Sequence, residues 1–391
     1  MQDFDVVIIG AGGAGMMCAF NAGRRRRSVV LLDHNVKVGR KILISGGGRC
    51  NFTNINAGPS NYVSANPHFC KSALAGYTPD DFIALVERHR IRFHEKKLGQ
   101  LFCNESSQHI VNMLVSECEQ SGAAFRLGCR VLKIEKGDSF HIATDNGDYR
   151  CRSLVIATGG LSIPSIGASG FGYRVAEQFG LSIVKTSPAL VGLNFGEKEL
   201  KELAELAGVS IDSQVTCQGV SFRENILFTH TGLSGPAILQ ASLYWSAGNS
   251  ISINLVPEQD LTEWLLRKKR DGACAELKVL VADLLPKRFS DSFCRLYLPS
   301  RPVSEIADKA LMEFAGRIRD WQVKPAGTAG YGKAEVTRGG VATDDLVARS
   351  LEARKVPGLY FIGEVVDVTG QLGGYNFQWA WASGFAAAQY V

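Results

Sequence analysis

Six residues near the start of the chain have the types and spacing for nucleotide chemistry. Gly10-Ala11-Gly12-Gly13-Ala14-Gly15 follows the apolar run 4–9 and opens a small-residue stretch that ends near Gly23. In a Gly-x-Gly-x-x-Gly pattern the first glycine turns the chain tightly. The second lets backbone approach a pyrophosphate, and the third lets a helix pack close on a strand. The helix start adds free N–H groups and a positive dipole end. A second apolar run, 29–32, ends in Asp33, 18 residues after Gly15. A carboxylate there can accept hydrogen bonds from the hydroxyls of an adenosine ribose.

NAD and FAD share this fingerprint, and three later features select FAD. Between Cys129 and Cys151 the pattern has period two, with turns at Gly137-Asp138 and Asn146-Gly147. This predicts a three-stranded meander. It feeds a separate buried strand from Ser153 that ends in Ala157-Thr158-Gly159-Gly160. The second feature is the loop Ser45-Gly46-Gly47-Gly48-Arg49-Cys50-Asn51. The third is Gly363-Glu364, with a helix opening at Gly373-Gly374-Tyr375-Asn376. Glu364 can accept from ribityl hydroxyls. N–H groups at 374–376 can face the N1/C2 carbonyl edge of a flavin, where a helix dipole stabilises the anionic reduced ring. No second fingerprint with its acid is present. NAD(P)H, the expected donor, must therefore bind transiently in the substrate cleft.

Other reactive side chains have plainer readings beside the sharp ones. Cys50 lies in the flavin-side loop, but the next cysteine is Cys70, and exchange needs two poised thiols. Packing or flavin contact is the expected role. None of the ten cysteines forms a CxxC pair or a zinc spacing, so free thiols and no metal are expected. His230, with Thr231 and Ser234 nearby, could donate a proton over the flavin or could be structural. Trp379 and Trp381, two apart on a helix, face different sides, so at least one is expected in the core. The basic runs 24–27 and 267–270 read as solvated helix ends rather than phosphate or RNA sites.

The elements that must position these groups follow from the pattern. The fold class is α/β: a Rossmann-like FAD-binding domain with a β-meander, discontinuous in sequence, plus inserted β-rich and helical modules. The FAD domain is expected over 1–187 and 326–391, the β-rich insertion over 188–257 and the helical one over 258–325. A helix starts at Thr78-Pro79-Asp80-Asp81, another spans about 107–120, and a small-residue helix opens at Gly232. With 391 residues, 46% hydrophobic and 21% charged, the chain is neither disordered nor a small stapled scaffold. A formal charge of +5 is mild for this length. No run approaches the roughly 20 apolar residues of a membrane helix. A cytoplasmic protein without a membrane or nucleic-acid partner is expected; oligomeric state is left open.

The segments GAGGAG (10–15), GRKILISGGGRCNFTN (39–54), LFTHTGLSGPAIL (227–239) and LYFIGEVVDVTGQLGGYNFQWAWASG (359–384) carry a resemblance. The chain resembles the BaiN-like family of bacterial FAD-dependent oxidoreductases, within the glutathione-reductase and fumarate-reductase flavoprotein superfamily. The resemblance implies a flavin-mediated reductase that passes hydride from N5 to a polarised alkene or similar small organic acceptor. The implied cofactor contacts are Gly10, Gly12, Gly13, Ala14, Gly15, Asp33, Lys41, Ser45, Gly46, Gly47, Cys50, Asn51, Val131, Ala157, Thr158, Gly159, Gly363, Glu364, Gly373, Gly374, Tyr375 and Asn376. Two alternatives stay open: a flavoprotein acting on tRNA, and a non-catalytic flavin-binding sensor or interaction protein.

Overall fold

Val6, Val7 and Ile8 are fully buried because β1 (Gln2–Ile9) lies in the middle of a parallel sheet. Burying each such side chain is worth about 1.5–3 kcal/mol, which explains an apolar run without alternation. A computed structural model of the chain describes all 391 residues. They group into two units, Met1–Pro188 with Val336–Val391, and Ala189–Glu335.

In the first unit β1 leads into α1 (Gly13–Arg24) and then β2 (Val29–Asp33). Next come α2 (Arg40–Ile44), α3 (Pro79–Arg88) and α4 (Gln108–Gln120). Thr78 and Asp81 form the expected capping box at the start of α3. On α4 the expected face, Ile110, Met113, Leu114 and Cys118, is buried. The sheet is completed by β3 (Ala124–Leu127), β4 (Val131–Lys136), β5 (Phe140–Thr144), β6 (Gly147–Ile156) and β7 (Leu359–Phe361). The parallel order is β3, β2, β1, β6, β7.

The meander and the strand after it are not separate, as the sequence suggested. Nothing between Cys151 and Ser153 can turn the chain, so β6 runs straight on. Through Cys151 its outer edge pairs antiparallel with β5, and from Leu154 it pairs in parallel with β7. The Asn146-Gly147 turn forms as expected, with Gly147 at φ +99°.

The last helix, α5 (Tyr375–Ala388), lies on α1. A Cβ at Gly384 would stand 2.5 Å from the Ala14 carbonyl oxygen, so the small residue lets the two helices touch. A small antiparallel sheet joins Asn51–Asn54, Gln100–Cys103 and Phe93–Glu95.

The second unit is built on a seven-stranded antiparallel sheet, with Ser210–Cys217 and Val220–Phe228 as its long hairpin. Helices Pro236–Tyr244, Leu261–Arg270, Lys287–Tyr297 and Asp308–Arg319 bury their apolar faces in the same core as those strands. Gly232 does not open a helix. Gly232–Ser234 is a strand, and a Cβ at Gly232 would stand 2.1 Å from the Leu193 carbonyl oxygen. The helix starts at Pro236, where a missing N–H costs nothing. No helix is long and apolar enough to cross a membrane.

Candidate cofactor site

The carboxyl ends of β1, β2, β6 and β7 bring one set of residues together. From β1 the chain goes to β2 on one side and returns much later to β6 on the other. This is the switch point where open α/β sheets bind ligands. Two glycines there serve the fold itself. A Cβ at Gly10 would stand 2.3 Å from the Ala157 carbonyl oxygen, and one at Gly15 would stand 1.9 Å from that of Gly10. Gly12 differs: a Cβ there would meet nothing within 4 Å. Protein packing does not require glycine at 12, but a ligand lying against the backbone would. Gly12 caps α1 with no side-chain hydrogen bond and no acid in the first turn. The helix start is thus an open cradle that fits an anionic group such as a pyrophosphate.

Asp33 does more than the sequence suggested. Its Oδ2 accepts from the Ala11 N–H at 2.8 Å, and its Oδ1 accepts from the Asn35 N–H at 2.8 Å. The carboxylate braces the glycine loop. It has about four acceptor sites, so it can still take a ribose hydroxyl. The Cys129 N–H donates to the Asp33 carbonyl at 2.9 Å, which brings Val131 and the start of β4 near the end of β2.

Glu364 is surrounded by donors from three other segments. Its Oε2 accepts from Lys41 Nζ at 2.5 Å. Its Oε1 accepts from the Thr337 N–H at 2.9 Å and from Ser162 Oγ at 3.1 Å. Lys41 Nζ also donates to Ser162 Oγ at 2.6 Å. Ser162 and Thr337 had no motif to reveal them; only the fold brings them here. The nearby Thr158 Oγ1 is buried without a hydrogen-bond partner, and a Cβ at Gly172 would stand 2.3 Å from it. Gly159 lies beside Glu364, with Oε2 3.9 Å from where its Cβ would be.

The 45–51 loop is exposed at Gly46 and Gly47, both at positive φ. Ser45 Oγ donates to the Ile42 carbonyl at 2.7 Å. Cys50 is fully buried, and burial pushes its thiol far above the ordinary range. Since the thiolate is the reactive form, this geometry favours packing over redox exchange. In the orientation that satisfies both its ends, the Asn51 amide accepts from the Gly374 N–H at 3.2 Å and donates to the Thr53 and Leu101 carbonyls. This Gly374 N–H is therefore engaged by protein. The Asn376 side chain folds back on Gly370, and Gly373 packs against Gln100. Gly374 caps α5 with no side-chain hydrogen bond, so the N–H groups after it stay open to a ligand edge. Both tryptophans belong to the core: Trp379 Nε1 donates to the Gly363 carbonyl, and Trp381 stacks on Phe82 at 4.4 Å.

His230 belongs to the second unit. It is exposed on the turn between Val220–Phe228 and Gly232–Ser234, which Thr229 Oγ1 closes by accepting from the Gly232 N–H at 3.1 Å. Several side chains of the basic runs are engaged by protein, mostly by residues of other helices. Arg24 pairs with Glu117, and Arg25 donates to the Ala388 carbonyl. Lys269 pairs with Asp308 and Arg270 with Glu263.

A family model described as HI0933-like protein Rossmann domain matches residues 4–390. A ribosomal RNA dihydrouridine synthase of Escherichia coli K12 is 52% identical over 392 residues, covering 100% of this chain and 98% of that protein. A ribosomal RNA dihydrouridine synthase of Haemophilus influenzae is 44% identical, covering 98% and 97%. A 3-dehydro-bile acid delta(4,6)-reductase of Clostridium scindens is 28% identical, also covering 98% and 97%. The two synthases, named for an RNA, overturn the expectation that no nucleic acid is a partner. That expectation rested on a mild net charge and on reading the basic runs as solvated helix ends. Neither property reports on isolated cations gathered by folding.

Proposed function

Because the chain belongs to the HI0933-like Rossmann family, an FAD-dependent oxidoreductase family, we propose that it reduces the C5–C6 double bond of a uridine in ribosomal RNA. The observation that carries this reading is 52% identity across the full length of a ribosomal RNA dihydrouridine synthase. The C5–C6 bond is a polarised alkene, the acceptor class that the family resemblance implied. In uracil the C5–C6 double bond is conjugated with the C4 carbonyl. Hydride therefore adds at C6 and a proton at C5, leaving a saturated 5,6 bond.

FAD, when bound and reduced by NAD(P)H, supplies the hydride. The protein's own residues supply the rest. Gly12 and the start of α1 would hold the pyrophosphate, and Asp33 would take a ribose hydroxyl. Lys41 and Glu364 would bind the ribityl hydroxyls, and the N–H groups at the start of α5 would bind the flavin. A hydrogen-bond donor to the C4 carbonyl draws charge onto oxygen as hydride arrives, and water must be kept out. His230 is the proposed donor of the C5 proton, since an imidazolium N–H can give up a proton.

The test is anaerobic reduction of the purified protein by NADH or NADPH, followed by mixing with unmodified ribosomal RNA. The expected result is loss of the reduced-flavin spectrum together with a nucleoside heavier than uridine by two hydrogens. Reoxidation by simple enones with no change in the RNA would overturn the RNA reading.

A further inference from the structure

We propose that the hairpin Phe93–Glu95 to Gln100–Cys103, with its lysine-bearing tip, is the surface on which single-stranded ribosomal RNA lies beside the cofactor cleft. The inference rests on the RNA reading above and names where that partner is held. All the residues involved belong to the first unit.

The hairpin is tied to the cofactor site by one buried side chain. Asn54, 1% exposed, donates from Nδ2 to the Leu98 carbonyl at 3.0 Å and to the Gly373 carbonyl at 2.9 Å. The first bond holds the hairpin tip and the second holds the residue before the cap of α5. Asn51, from the same strand, reaches Gly374. Whatever lies on this sheet is therefore positioned relative to the proposed flavin edge.

The surface has parts that single-stranded RNA needs: flat rings for bases and cations for phosphates. His94 is exposed and lies flat over Phe102, with ring centroids 6.2 Å apart and planes 21° apart. Its orientation is set by Asn104, whose Oδ1 is 2.7 Å from Nδ1. Lys96 Nζ stands 5.3 Å above the same Phe102 ring. Lys97 and Arg49 are exposed nearby; the Arg49 carbonyl accepts from the Cys103 N–H of the hairpin at 3.0 Å. The acid in the turn, Glu95, accepts from the Gly99 N–H at 3.0 Å.

Leu98, at the tip, is 62% exposed and sits at φ +52°. A bulky residue rarely adopts that conformation, and here it holds an apolar side chain in water. Between cations and next to the cleft, such a side chain suits the gap left by an extruded base.

The test uses purified, FAD-loaded full-length protein with an in vitro transcript of ribosomal RNA and a single-stranded oligouridylate, titrated across salt. For Lys96→Glu with Lys97→Glu, affinity is expected to fall at least tenfold. The slope of log affinity against log salt should flatten by about 1.4, two lost contacts at about 0.7 each. His94→Ala should weaken binding by about tenfold with the slope unchanged. Flavin absorbance and thermal midpoint should match wild type in every variant. Arg267→Glu with Lys268→Glu, an equal charge change, should alter affinity less than twofold. If wild type binds and reduces the RNA while the hairpin variants bind equally well, the surface is wrong and the functional reading stands. An equal loss in the Arg267/Lys268 control would also overturn the surface. Wild type that neither binds nor reduces the RNA would overturn both.

Discussion

Lys41 Nζ stands 2.5 Å from Glu364 Oε2, joining α2 to a residue three positions past the end of β7, more than three hundred positions later. The pair is 32% and 16% exposed, so it lies at the wall of the site rather than in the core. It closes the distance between the glycine-rich loop and the strand ends, the two regions expected to hold the flavin half of FAD.

Lys41→Met should loosen FAD by about tenfold, or about 1.4 kcal/mol. That is well below the 3–5 kcal/mol lost when one partner of a fully buried pair is removed, because solvent screens this one. Adding Glu364→Gln should recover part of the loss, since no unpaired carboxylate remains. Flavin retention on dilution, measured for the four proteins of the cycle, gives the coupling. Strictly additive losses would show that the two side chains act independently.

The purified protein should be yellow and should release FAD rather than FMN, because the open cradle at Gly12 addresses the pyrophosphate of a dinucleotide. Gly12→Val should give colourless but folded protein, as that Cβ meets nothing of the protein itself. Absorbance and chromatography of the released flavin decide it. FMN, or full FAD occupancy in the variant, would be the contrary result.

Cys50→Ser should keep most turnover. The thiol is buried and held protonated, so a hydroxyl replaces a packing group rather than a nucleophile. A loss beyond about a hundredfold, about 2.7 kcal/mol of transition-state stabilisation, with FAD retained, would give the thiol a chemical role.

His230→Ala should keep FAD and its reduction by NAD(P)H but slow reoxidation by the proposed uridine acceptor. Rapid mixing separates the two half-reactions. Equal reoxidation rates would leave His230 as an exposed turn residue and no more.

Asp5 offers a pH test of the fold. The Ser28 N–H, Arg152 and the Ser28 hydroxyl hold its carboxyl down to about 2. A depressed folded value adds stability that is present above the ordinary aspartate range and is lost as pH falls toward about 2. With Arg152 78% exposed, screening reduces the contribution to about 1 kcal/mol. Asp5→Asn should lower the melting temperature by about 1–2 °C at pH 7. The gap should close between about pH 4 and pH 2. A gap independent of pH would point to packing rather than charge.

The sequence by itself determined the glycine cradle, Asp33 and the α3 capping box, because their roles depend on neighbours a few positions away and on backbone stereochemistry. It also marked Gly363, Glu364 and the start of α5 as belonging near a dinucleotide. Tertiary structure alone decided what those residues touch. Ser162 and Thr337 reach Glu364, and Asn54 ties Leu98 to Gly373, through segments far apart in the chain. That β6 pairs first with β5 and then with β7 along one edge is encoded by no local pattern. The proposed RNA surface was likewise not legible as a surface in the sequence. His94, Lys96 and Lys97 stand close together in sequence, but Arg49 joins them only when the hairpin folds beside the 45–51 loop.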